Sequence, residues 1–461
     1  MHQTKFALAV LTAAVLAGCG GSSGGDQTLK VKYSAQVSFG DSLSDVGSYA
    51  VGTVLAKGGG KFTINGDNTK INPELTGKNW TEHLAAQFGL PAPCAAETGL
   101  EGQLSLGFFV PRVKHAGCYG YAMGGSRVTN PVGPNNKATG SVLGALTVPV
   151  AVQIQNHLAA TGGKFSGTEA VFVMAGGNDV LYQLGVLQAG ATEAGKKAGA
   201  EAGAQAFATN LALALAAGAT NPATAAASIG AAIKTASAAP GATSTTIVGA
   251  AVQAAMIAGN VNAPTLAPAL AAKAQADATV TGNAAGAKAG ADYAAAQGPL
   301  LIAAMKQAGS ELVTLVKDQI IAKGANYVIV NNLPDVAGTP SGLGKDANIK
   351  ALINAMVSTF NGELSGGLNG NAKVLLVDVF AVSHDQGANP GPYGLTNVSE
   401  PACDLTSEKN ILGSSLVCNG TNLKAGDVSH YSYADDVHPT PFNNLLLARY
   451  VAKDMVVRGW L

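Results

Sequence analysis

The sequence predicts an α/β protein, a three-layer α/β/α sandwich around a parallel sheet, and three observations carry that prediction. Apolar runs of strand length recur at Val171-Phe172-Val173-Met174-Ala175, Tyr327-Val328-Ile329-Val330-Asn331 and Val374-Leu375-Leu376-Val377-Asp378. Each is continuous rather than alternating, as expected of strands covered on both faces. Segments of helical character separate them, at 80–88 and at 301–321, where Leu312, Leu315, Val316, Gln319 and Ile320 recur near helix spacing. Lastly, the short run Val37-Ser38-Phe39 leads into Gly40-Asp41-Ser42, which puts a serine at the carboxyl end of a first strand, where α/β sheets hold their ligands.

Four short blocks then carry chemistry: Phe39-Gly40-Asp41-Ser42-Leu43-Ser44-Asp45, Gly124-Gly125, Gly176-Gly177-Asn178-Asp179, and Asp435-Asp436-Val437-His438. Alone, each has a plain reading, since a serine between Gly and Asp is usually a turn. Together they supply the parts of acyl transfer. A serine hydroxyl needs a base, and the base needs a third group to fix its tautomer; Ser42, His438 and Asp435 fit those roles. The oxyanion needs donors already aimed at it, and the backbone N–H groups of Ser42 and Gly125 with the side-chain amide of Asn178 are the candidates. Gly125 suits the task because a residue without Cβ lets the backbone approach a substrate.

In these blocks the sequence is similar to the GDSL, or SGNH, family of esterases and lipases, whose Ser, Gly, Asn and His match Ser42, Gly125, Asn178 and His438 in order. Trp80-Thr81-Glu82-His83, Asn332-Leu333-Pro334-Asp335, Phe360-Asn361, Tyr393-Gly394 and His438-Pro439-Thr440 resemble the larger bacterial members. The resemblance covers roughly residues 35–185 and 300–461. It implies a flavodoxin-like sheet of about five strands and a serine esterase or lipase acting through an acyl-enzyme, without cofactor or metal. The chain departs from the family at Gly120 and Ser48, where Asn is common, which bears on local packing.

A rival nucleophile elbow, Gly-x-Ser-x-Gly, occurs at Gly21-Ser22-Ser23-Gly24-Gly25, in a run that begins at Gly20. The sequence predicts no strand before it.

The chain is expected to divide into a signal peptide at 1–18, a tether at 19–34, a hydrolase domain at 35–186 and 298–461, and an Ala/Gly-rich, mostly helical insertion at 187–297. In that insertion Gly195, Gly199 and Gly203 fall four apart, as do Gly282, Gly286 and Gly290. Each set lines one helix face with small residues, so two helices could form a close antiparallel hairpin. Against this, each internal Gly costs about 1 kcal/mol of helix stability relative to Ala, which favours an irregular, weakly packed appendage over a lid. The small-residue spacing also occurs in membrane helices, but Lys196, Lys197, Glu201 and Lys288 interrupt these segments.

At the amino terminus, an apolar stretch at 6–16 too short to span a bilayer ends in Leu16-Ala17-Gly18-Cys19. Leu-Ala-Gly-Cys looks like a bacterial lipobox, which implies lipidation of Cys19 and, by analogy, the outer membrane of a Gram-negative cell, with plain secretion as the alternative. Removing Cys19 leaves Cys94, Cys118, Cys403 and Cys418, which allow three pairings. Pairing by proximity joins Cys94 to Cys118 and Cys403 to Cys418, the second bracing a loop shortly before Asp435. No C-x-x-C occurs, which argues against zinc or redox roles.

Twenty-eight basic and twenty-eight acidic residues balance, and charged residues make up only 12%. No basic cluster marks a nucleic-acid partner. The expected partners are a small-molecule or lipid ester substrate and a membrane reached only through the lipid anchor, with the protein a monomer. Asp427, His430, Asp435, Asp436 and His438 contain metal-ligating types, but the family resemblance explains Asp435 and His438 without metal. Asp41 and Asp45 are read as shaping the turn around Ser42; His83, His115, His157 and His384 receive no role.

Fatty-acyl esters are the expected substrates, by analogy with the longer bacterial relatives. Acetyl esters of polysaccharide, or acyl transfer from the same site, are alternatives. A non-enzymatic alternative is a surface adhesion lipoprotein on an inactive hydrolase scaffold.

Overall fold

A computed structural model describes residues 30–461; the expected signal peptide and Cys19 lie outside the described residues. The chain divides into two compact units. The first takes residues 30–175 with Glu311–Lys345 and Glu363–Leu461, and the second takes Gly176–Ser310 with Asp346–Gly362.

In chain order the elements are β1 (Gln36–Gly40), α1 (Gly52–Ala56), α2 (Trp80–Gln87), β2 (Glu97–Glu101), β3 (Phe109–Lys114), α3 (Val150–Ala160), β4 (Ala170–Met174), α4 (Gly177–Ala216), α5 (Pro222–Ala238), α6 (Ser244–Ile257) and α7 (Ala263–Thr314). There follow β5 (Tyr327–Asn331), α8 (Ala347–Leu368), β6 (Val374–Val377), α9 (Val379–Ala388), β7 (Asn397–Pro401), β8 (Tyr431–Tyr433) and α10 (Pro441–Arg458).

The first unit is built on a parallel sheet of order β1-β4-β5-β6, paired Phe39↔Val173, Val173↔Val330 and Val330↔Leu376. Tyr119–Met123 continues the sheet past β1 through a parallel bridge, Ser38↔Gly120, with Ser38 N donating to Tyr119 O and Tyr121 N to Ser38 O. Counting that segment, the order is that of a flavodoxin-like sheet. The fifth strand is shortened to one bridge because Gly120 is also gripped from its other side, where its N donates to Cys94 O and its O accepts from Ala96 N. A Cβ there would lie 2.7 Å from both Cys94 O and Val46 Cγ2, so the departure to glycine is a packing requirement.

One face of the sheet is covered by α2, α9 and α10, whose Trp80, Leu84, Val382, Val451 and Met455 pack with Phe172 and Ile329 of the strands. Trp80 meets Phe172 edge-on at 5.0 Å between ring centroids. On the other face Phe39 stacks on Tyr121 and meets His157 of α3 at 5.7 Å. Strands β1 and β4 are buried at every residue, which is why their sequences do not alternate. The helix expected over 301–321 runs regularly only to Thr314; residues Leu315–Ile321 widen into a π-helix. After Ser42 the chain runs through turns before the five residues of α1.

The second unit is more regular than its glycine content suggests. Instead of an irregular appendage, α4 and α7 run 40 and 52 residues and lie antiparallel, Gly195 and Gly199 facing Gly286 and Gly282. A Cβ on Gly199 would come 2.9 Å from Gly282 O, and one on Gly282 would come 2.8 Å from Gly199 O. The glycines are therefore the condition for close backbone approach, and that packing offsets their cost in helix propensity. Further along, Leu211, Leu215, Ile229, Ile233 and Ala255 form a core with α5 and α6, and Asn260 donates to Leu215 O at 2.6 Å to tie the turn before α7. No helix among the described residues is long and apolar enough to cross a membrane.

Candidate active site

Ser42 stands two residues beyond β1, on a turn that the local acids shape. Asp45 is fully buried and accepts from Gly47 N at 2.8 Å, Ser48 N at 2.7 Å, Gly124 N at 2.9 Å and the Ser48 hydroxyl. Burial raises its pKa, and these hydrogen bonds oppose the rise. Asp41 accepts from Leu43 N at 3.1 Å. Both aspartates therefore hold backbone, as read from the sequence, and Ser48 takes part in that hold.

The end of β1 is pinned from α3. Gln153 receives Gly40 N and returns its amide to Gly40 O, each at 2.8 Å. Gly40 itself has φ +151°, and any Cβ would collide with Met174 O, so the strand can leave the sheet toward Ser42 only as glycine.

His438 arrives from the far end of the chain. His438 Nε2 lies 2.9 Å from Ser42 Oγ, and His438 Nδ1 lies 2.8 Å from both carboxylate oxygens of Asp435. With Nδ1–H donating to the carboxylate, Nε2 carries the lone pair and accepts the Ser42 hydroxyl proton. The Asp435 carboxylate also accepts from Ser415 N at 2.7 Å, Val437 N at 3.0 Å and His438 N at 2.8 Å. Burial alone would raise its pKa; the His438 ring and the Ser415 donors overcome that and hold it well below the usual carboxylate range. Phe62 packs on the imidazole at 4.8 Å between ring centroids.

Disulfides join Cys94 to Cys118 and Cys403 to Cys418, with Cα–Cα distances of 5.1 and 6.1 Å. By the chain-entropy argument each closes a loop for about 3 kcal/mol. The second does local work: Cys418 lies three residues beyond Ser415, and Cys403 N donates to Ala434 O next to Asp435. Disulfides of this kind persist in oxidising compartments, which fits an exported protein.

Gly125 lies in the loop that Met123 N anchors to Gly40 O at the end of β1. It has φ +79°, and a Cβ would meet Pro134 O at 2.5 Å and Thr147 Cγ2 at 2.7 Å. Next to it, the Gly124 carbonyl accepts from the buried Tyr49 hydroxyl at 2.7 Å. Asn178 is buried and is the second residue of α4, in the helical unit that begins at Gly176.

Four of the remaining titratable candidates have other partners. Asp427 accepts from Ser429, and His430 Nδ1 lies 2.8 Å from Gly394 O. His384 pairs with Asp335 and His115 with Thr98. His157 is buried among aromatic rings with neither ring nitrogen hydrogen-bonded. Among the described residues no three His, Cys, Asp or Glu side chains converge as a metal site would require.

Sequence reasoning missed Gln153, Phe62, Tyr49 and the Ser415 amide. Only Gln153 left a trace, as a polar residue among the apolar positions of α3.

The chain is similar to Esterase EstA of Pseudomonas aeruginosa and to Esterase EstA of Pseudomonas putida, each 27% identical over 135 residues. The match takes in 27% of this chain and 19% of the length of either relative. No family model matches.

Proposed function

We propose that the protein is a serine esterase that cleaves carboxylic esters, fatty-acyl esters above all, through an acyl-enzyme. One observation carries the reading: the unbroken line from the Asp435 carboxylate through His438 to Ser42 Oγ, with contacts of 2.8 and 2.9 Å. The esterase relatives support it. In this reading His438 Nε2 takes the Ser42 proton as Oγ attacks the ester carbonyl, and Asp435 stabilises the imidazolium. The N–H groups of Ser42 and Gly125 receive the oxyanion. His438 then protonates the departing alcohol oxygen, and water repeats the attack to free the acid. The two disulfides support export, and we extend this to lipidation at Cys19, which metabolic labelling with palmitate would detect in wild type and not in Cys19→Ala.

The test is hydrolysis of p-nitrophenyl butyrate by wild type and Ser42→Ala. The variant is expected to lose at least about 10⁴-fold in kcat; retention of wild-type turnover would overturn the assignment. A parallel series of rising acyl length beside acetylated xylan tests the substrate class, and a preference for the polysaccharide would reject the fatty-acyl reading.

A further inference from the structure

A cleft opens directly beside the triad. Its walls include Leu43, next in sequence to Ser42, and Val437 and Pro439, which flank His438 on either side. Its interior is apolar, with Val382 of α9 and Leu447 of α10 among the lining. It is narrow, and counted with the open space at its mouth it holds about 540 Å³.

Gln386 brings an amide into this lining, which also holds the polar residues Thr339, Ser383, Tyr433 and Asn443. Gln386 lies one turn beyond Val382 on the same face of α9, is only 7% exposed, and its amide forms no hydrogen bond with the protein. The neighbouring polar residue Ser383, by contrast, is satisfied: its hydroxyl accepts from Asp335 N at 2.8 Å and donates to Phe380 O at 3.1 Å. An amide without a protein partner in a mostly apolar wall is free to bond whatever enters the cleft, and no Lys, Arg, Asp or Glu lines the cleft to receive a charged chain. An amide offers both donors and an acceptor. A hydroxyl is the small group that answers both.

An ester has two arms, and the reaction treats them differently. The acyl arm stays on the enzyme through both half-reactions, while the alcohol must leave after the first. A walled cleft against the nucleophile suits the arm that stays.

We propose that this cleft is the acyl subsite and that it takes an aliphatic acyl chain bearing a hydroxyl, which the Gln386 amide binds. The inference rests on the ester-hydrolase reading above. The experiment compares p-nitrophenyl octanoate with its monohydroxylated analogues, the hydroxyl placed at successive chain positions, on wild type and on Gln386→Leu. At one position or more, wild-type kcat/KM is expected to exceed that for octanoate by about fivefold to tenfold, the scale of one net hydrogen bond, mainly through KM. In Gln386→Leu that ratio falls to about one. Because each ratio is taken on one protein preparation, partial misfolding of the variant does not alter it.

A wild-type ratio of one or less at every position overturns the inference, as does a preference that survives in Gln386→Leu. Val382→Phe tests the acyl assignment separately: the octanoate-to-acetate ratio should drop about tenfold, and an unchanged ratio would place the acyl chain elsewhere. Turnover that persists in Ser42→Ala would instead defeat the catalytic reading itself, so the two failures are distinguishable.

Discussion

The two units hold their helices by opposite means. In the first unit, built on the parallel sheet, large side chains fill the space between layers: Trp80, Phe39, Phe172 and Ile154 are fully buried, and rings meet edge to face. In the helical unit the long helices α4 and α7 touch through glycine, so backbone faces backbone and little side-chain surface is hidden at Gly195, Gly199, Gly282 and Gly286. The comparison teaches that a low-aromatic, glycine-rich segment can be regular without a bulky core. Its stability then depends on the absence of atoms where the other unit depends on their presence.

Substitutions should separate the two modes. The largest effect belongs to chemistry rather than packing: His438→Ala should lower kcat for ester hydrolysis by about 10⁴-fold or more, read from initial rates, because the Ser42 hydroxyl loses its acceptor. Next, Trp80→Ala removes the largest fully buried ring of the first unit and should cost about 3–5 kcal/mol in denaturant unfolding.

A pH effect follows from His157. Burial lowers its pKa to about 4, with Glu169 opposing, so the folded protein favours the neutral ring. The stability it contributes is full above the unfolded value of about 6.5 and is lost as pH falls from there toward about 4, by on the order of 3 kcal/mol. His157→Phe should flatten that part of the stability–pH curve; an unchanged slope would show that the ring is solvated.

The helical unit should respond to added atoms. Gly282→Ala places a methyl 2.8 Å from Gly199 O and should destabilise by about 1–3 kcal/mol, visible as a lower melting temperature. Gly249→Ala is the counterpart: it lies inside α6 with nothing within 4 Å of the new Cβ and should stabilise by up to about 1 kcal/mol. Equal responses at the two positions would erase the proposed distinction.

Much of this was readable in the chain, and the divide has a physical cause. Strands β4, β5 and β6 were legible because burial on both faces makes their sequences continuously apolar. Ser42, Asp435 and His438 could be grouped from the sequence because acyl transfer by a serine needs those residue types, and the structure brings the three within hydrogen-bond distance; the proximity pairing of the four cysteines matches the two disulfides. What escaped depends on partners distant in sequence. Gln153 holds Gly40 from 113 positions away, and Phe62 reaches His438 across most of the chain. The four-residue glycine spacing was visible, but whether two such stripes face each other is a tertiary fact, and counting each glycine as a propensity loss gave the wrong expectation of irregular packing. The shortening of the edge strand at Gly120 likewise turns on contacts with Cys94 and Val46.

The central claim is that Ser42 is the hydroxyl activated by His438. Incubation with a fluorophosphonate followed by peptide mass spectrometry tests it most directly. The account predicts one adduct per chain, on Ser42, abolished in His438→Ala. An adduct on another serine, or undiminished labelling without His438, would contradict it.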